Sequence, residues 1–277
     1  MKLSVVNTKN GRTELACAEG AERVHLVYGP AYRKGDAVVL TTDGPGFYRV
    51  RLEDTVEPAV LYADGKEIVF PIPFGVDRAG YSPRAFGGKR HFLEAEKTDA
   101  PSGIRNLAFN PIDGSGNEGL YPHMTTNVTY PDTFRNKIFP DRGLFAPRNV
   151  IDGILANESH RLYPHQSWGI NRMADAWLRC DFGRPVDVTE IALAIRGEFP
   201  HDNYWVKGKA VFSDGSTEEL TLTKTLDWQR FPAEKKGITS ITLTDLVPSD
   251  EPSPFPALSG LMVYGREGRE ENNGGTV

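Results

Sequence analysis

The 277-residue chain predicts an all-β protein made of two β-sandwich domains. Three observations carry that expectation. Short runs alternate apolar and polar residues along the whole chain, 28 glycines and 20 prolines punctuate them, and no amphipathic stretch exceeds about two helical turns. Val24–Tyr28, Ala37–Leu40 and Phe47–Leu52 are the first strand candidates. In the last of these, Tyr48, Val50 and Leu52 share one face and Arg49 and Arg51 take the other, the mark of a half-buried strand. Asp64-Gly65 between the apolar runs Val60–Ala63 and Ile68–Phe70 reads as a hairpin turn, closed by Pro71 and Pro73. Residues 1–103 are therefore expected to form one antiparallel sandwich.

Ala100-Pro101-Ser102-Gly103 marks a boundary, and a long stretch rich in Pro, Gly, Asn and Asp runs from Asn110 to about Val150. Irregular length of that kind inside a folded chain serves binding loops or a packed connector. Alternation resumes at Trp177–Phe182, Glu190–Arg196 and Val206–Phe212, then after the turn Ser213–Ser216 at Leu220–Thr223, Ile238–Leu243 and Leu261–Tyr264. Short strands with turn signals roughly every 8–12 residues predict a second sandwich or jelly roll over 104–265, with 266–277 as a disordered tail.

Composition narrows the function. Lys and Arg number 32 against 37 Asp and Glu, a formal charge of −5, so the clustered cations that grip nucleic-acid phosphates are missing. No run of roughly 20 apolar residues is present to cross a bilayer as a helix, so neither nucleic acid nor membrane is an expected partner. Met1–Lys9 has no continuous apolar core of a signal peptide, and the expectation is a cytoplasmic protein. Cys17 and Cys180 fall in different predicted domains, and no disulfide is expected. Gly114–Gly119 matches G-x-G-x-x-G literally, but Tyr121-Pro122 follows at once and leaves no helix to hold a phosphate. No nucleophile elbow occurs, and His160 and His165 are five apart outside any helix, which is not zinc spacing.

Two loop segments concentrate groups suited to sugars. His165, Gln166, Trp168, Asn171 and Arg172 lie in the first, and Arg196, Asp202, Asn203 and Trp205 lie in or beside the second. A flat ring can stack on the C–H face of a pyranose while planar amides and guanidinium groups take hydroxyls in pairs. Trp177, in a strand, is expected in the core.

The second half also resembles the discoidin, or coagulation-factor type C, domain of the galactose-binding-like jelly rolls. The matching pieces are Arg105–Ala108, Ala146–Gly153, Ser167-Trp168, Trp177–Gly183, Phe212–Ser216 and Val263–Gly265, in the family's order. The resemblance implies a galactose-binding-like jelly roll that binds glycans through loops at one end and carries no catalytic machinery of its own. It also implies that Trp168 packs largely in the core. A structural Ca²⁺ near the Ile151-Asp152-Gly153 loop is a further implication. Asp152 would be its acidic ligand, but the family's second acidic position falls on Gly260 beside Ser259, and Asp152 alternatively caps the turn into Gly153. No other cofactor is expected. The reading is a noncatalytic carbohydrate-binding protein with a saccharide as its partner. Its rivals are a glycan-processing enzyme at the domain interface, with Glu198 and Asp202 as the nearest carboxylates, and an assembly or scaffold subunit.

Overall fold

In the computed structural model of the chain, which describes every residue except 115–116, 131–140, 157–162, 165, 198–202 and 269–277, the alternating runs become strands. The first core lies between two antiparallel sheets. One has β1 (Lys2–Asn7), β2 (Thr13–Glu19), β4 (Asp36–Thr41) and β7 (Ile68–Pro71), in the order β2-β1-β4-β7. The other has β3 (Arg23–Tyr28), β5 (Pro45–Arg51), β6 (Ala59–Asp64), β8 (His91–Thr98) and β10 (Leu120–Tyr121), in the order β10-β6-β5-β8-β3. Leu3, Val5, Val38, Leu40, Tyr48, Val50, Leu61 and Leu93 are buried between them.

The Asp64-Gly65 turn corrects the hairpin expectation, because β6 and β7 belong to different sheets. Gly65 takes a positive φ as such a turn requires, but Lys66 and Glu67 lengthen the link and carry the chain across the sandwich. β6 instead pairs with β5 on one side and β10 on the other.

The second core is built on a larger sheet. Its long strands are β13 (Leu178–Arg196), β16 (Gln229–Pro248) and β17 (Ala257–Glu267). With β12 (Trp168–Gly169), β14 (Trp205–Phe212) and β15 (Thr217–Thr221) the order is β12-β17-β13-β16-β14-β15. β9 (Arg105–Asn106) pairs with β17 and β11 (His123–Thr126) with β13. Breaks in register after Asp181, Val186 and Val188 bend β13, so that the predicted runs on either side of Gly183-Arg184-Pro185 form one continuous strand. Among the described residues the one α-helical turn, Asp141–Leu144, is four residues long.

The chain after residue 104 does not stay in one core. β9 opens the second sheet, Ile112 and Leu120 return to the first core, and β11 re-enters the second. Arg184 ties them further: its guanidinium lies 4.9 Å from the Phe47 ring centroid and 5.1 Å from that of Tyr62. The same group makes a bidentate pair with Glu267, whose other partner is Arg105. That pairing keeps β17 extended through Glu267, so Arg266 and Glu267 are strand rather than tail; the tail from 269 on lies outside the described residues.

Cys17 is an exposed free thiol on β2, and Cys180 is a buried one on β13. Without reductant, the native protein is expected to show one thiol accessible to a thiol reagent and two after denaturation. A count of zero after denaturation would mean that the two are bonded.

Candidate functional site

The end of the second sheet where β12 meets β17 gathers residues 170–175, 203–204, 222–228 and 249–256. Asn203 organises the last of these. Its amide group donates to the carbonyls of Ser249, Glu251 and Ser253 at 3.3, 3.2 and 2.8 Å, and its oxygen accepts from the backbone N–H of Tyr204. A Lys224–Glu251 ion pair at 2.6 Å joins 222–228 to the same loop.

Most of the residues singled out for sugar contact point inward. Trp168 is 0% and Trp205 1% exposed, their ring centroids 6.0 Å apart inside the core. Trp205 opens β14 and lies in the same core as Ala210 and Phe212, because breaks in register after Trp205 and Lys207 turn the strand between them, and it offers no stacking face. Arg196 ends the wholly buried run Ile191–Arg196, and its guanidinium donates to the Ser167 hydroxyl at 3.2 Å. Gln166 is buried with its amide on Asp152, and Asn203 is spent on carbonyls. These five are corrections: the two indoles are core side chains, and for the buried amide and guanidinium groups of Gln166, Arg196 and Asn203 the fold itself supplies partners. Trp177, expected in the core, is only half-buried just before β13. His165, Glu198 and Asp202 lie outside the described residues.

Asn171 and Arg172 remain on the surface. Both adopt left-handed backbone conformations, φ 46° and 64°, in the turn after Ile170, and Asn171 donates to the Thr129 carbonyl at 3.1 Å. The Arg172 guanidinium lies 4.6 Å above the ring of Phe255, which is 44% exposed. No hydrogen bond or ion pair engages that guanidinium among the described residues.

Phe255, Leu226 and Trp228 were not singled out by the sequence reading, yet they belong to this end. Phe255 stands between Pro254 and Pro256, where no strand can bury it, and that was the available signal. Trp228 lies against Gly260 so closely that a Cβ there would come within 2.5 Å of its ring. The position that would have held the second calcium carboxylate is thus filled by an indole edge.

Asp152 does not fit calcium either. Its two oxygens accept from the Ile154 N–H at 2.8 Å and the Gln166 amide at 3.0 Å, as a turn cap does. Among the described residues no group of three His, Cys, Asp or Glu side chains gathers at any point. Burial pushes the Asp152 carboxyl up to about 6, against the opposing pull of Arg148, Gln166 and the Ile154 N–H.

No family model matches the chain, and no curated protein matches it. Among solved structures, it is similar to the family 32 carbohydrate-binding module of Clostridium perfringens NanJ in complex with galactose, at 18% identity over 51% of this chain and 93% of the module, with a TM-score of 0.36. The lectin domain of lectinolysin complexed with Lewis B antigen is similar at 14% identity over 57% and 95%, TM-score 0.40. An F5/8 type C domain from Bacteroides fragilis is similar at 13% over 52% and 91%, TM-score 0.38. At such identities and scores the likeness is no basis for a function.

Two measurements check the inward placements. Trp205→Ala should lower unfolding stability by about 3–5 kcal/mol, the range for a large core ring; a variant with the wild-type urea midpoint would return Trp205 to the surface. Asp152→Asn tests the buried acid. The folded state keeps this proton from pH 4 to 6 while the unfolded chain, near 3.8, loses it, so the group costs stability as pH rises through that window. Relative to Asp152→Asn, the wild type should therefore lose up to about 3 kcal/mol between pH 4 and 6. Parallel stability curves would contradict the buried acid.

Proposed function

We propose that the protein is a noncatalytic carbohydrate-binding protein whose glycan rests on the rim loops of the second jelly roll. The observation that carries this reading is the Arg172–Phe255 pair. A planar cation with its donors uncommitted lies over a half-exposed ring, next to Asn171 and beside the loop that Asn203 stiffens. An aromatic face together with fixed planar donors suits a pyranose, whose C–H face stacks while its hydroxyls pair with N–H groups. Pre-positioning lowers the ordering cost on binding. The rim exchanges protein contacts against well-solvated hydroxyls, so affinity should be modest, on the order of 10 µM to 1 mM.

A glycan array followed by calorimetry on the strongest hit tests this. Phe255→Ala and Arg172→Ala should each weaken binding about 5–30-fold, or roughly 1–2 kcal/mol, without moving the melting temperature. Unchanged affinity in both variants places the ligand elsewhere, and an array with no hit removes the reading.

A further inference from the structure

A cleft of about 1160 Å³ lies between the two cores, and neither Asn171, Arg172 nor Phe255 lines it. One wall is apolar and comes from the end of β7 and the segment after it, with Pro73, Phe74 and Val76. The other is polar, with Glu118 from the connector and His123 and Thr125 from β11. Arg148 and Tyr81 line its base.

His123 is held in a defined orientation. Its Nδ1 donates to Asp113 Oδ1 at 2.6 Å, and Asp113 Oδ2 accepts from the Met124 N–H at 3.0 Å. Asp113 is buried, whereas the imidazole keeps part of its surface. That leaves Nε2 to accept from, or when protonated donate to, a group in the cleft, and hydroxyls do both. The hydrogen bond that His123 donates to Asp113 raises the imidazole pKa.

Two features argue against a peptide. A β-strand ligand needs a free ladder of backbone groups along one wall. β7 is the edge of its sheet, but Pro71 and Pro73 remove N–H donors there, and on β11 the Met124 N–H is already used by Asp113. Charge narrows the ligand further. Glu118 is exposed in the cleft, and the Arg148 donors are spent on carbonyls and on Asn149, so a polyanion is disfavoured.

We propose that this cleft is a second saccharide site, taking a neutral or cationic sugar chain whose C–H faces lie on Phe74 and Pro73 and whose polar edge meets Glu118, His123 and Thr125. It stands independently of the rim site. The full chain, labelled with ¹⁵N, is titrated with hexamers of β-1,4-glucose, β-1,4-glucosamine and galacturonate. The amides of 123–126 should shift with at least one of the first two and not with the third. Thr125→Trp, an exposed position filled with bulk, should abolish those shifts, and Glu118→Lys should weaken the glucosamine hexamer at least 10-fold. The Arg172→Ala rim variant should leave them intact, so failure of the rim reading and failure of this one are distinguishable. Still amides with both neutral and cationic hexamers, a preference for galacturonate, or full binding by Glu118→Lys overturns the proposal. Shifts at 123–126 caused only by an extended peptide do the same.

Discussion

Arg148 is where the two cores are joined. It sits in the short 3₁₀ turn Pro147–Val150, and its guanidinium reaches out of the second core into the first. There it lies 4.0 Å above the Tyr81 ring and donates to the carbonyls of Pro111 and Asp113, both at 2.9 Å, and to Asn149 Oδ1 at 3.1 Å. A buried cation is costly unless its donors are satisfied, and only a guanidinium can satisfy several carbonyls in a plane while stacking on a ring. Lysine would leave most of these acceptors unpaired. The backbones that converge here do so without side chains: a Cβ on Gly143 would stand 2.1 Å from the Val76 carbonyl, and one on Gly80 2.5 Å from the Gly143 carbonyl. The cleft exists because this contact holds the two sandwiches at one distance along its base.

The rim depends on the same logic at a smaller scale. Loops are held in place where one buried amide or guanidinium collects several backbone acceptors, as Asn203 does for 249–253. Beneath it, Trp168 and Trp205 fill the end of the core and give the loops a firm floor. Rigid support below and uncommitted donors above is what a weak, reversible ligand site requires.

The strands were legible because alternation is a local property: Phe47–Leu52 displays its buried face without reference to anything distant, whereas Ile191–Arg196 reads as a strand but is buried on both faces. What failed to read was partnership. Asp64-Gly65 has the chemistry of a hairpin, but the edge beside β6 was taken by β10, 56 positions further on than Asp64. Gln166, Arg196 and Asn203 have the composition of a binding loop, and the carboxylate, hydroxyl and carbonyls that consume them come from distant positions. The cleft was invisible for the same reason, since its walls come from residues near 73 and near 123 that no local pattern connects.

The arginines separate these cases most clearly. Arg148, Arg184 and Arg196 are indistinguishable from Arg172 in sequence, each lying near Gly, Pro or aromatic residues. In the fold, Arg148 is spent on carbonyls, Arg184 on Glu267 and Arg196 on Ser167, and each is buried or nearly so. Arg172 alone of the four stacks on an exposed ring. A guanidinium whose donors are satisfied internally contributes stability and has nothing left for a ligand. One placed over an aromatic face, in a left-handed turn that costs backbone energy, has kept its donors at the surface, where only water or a ligand competes for them.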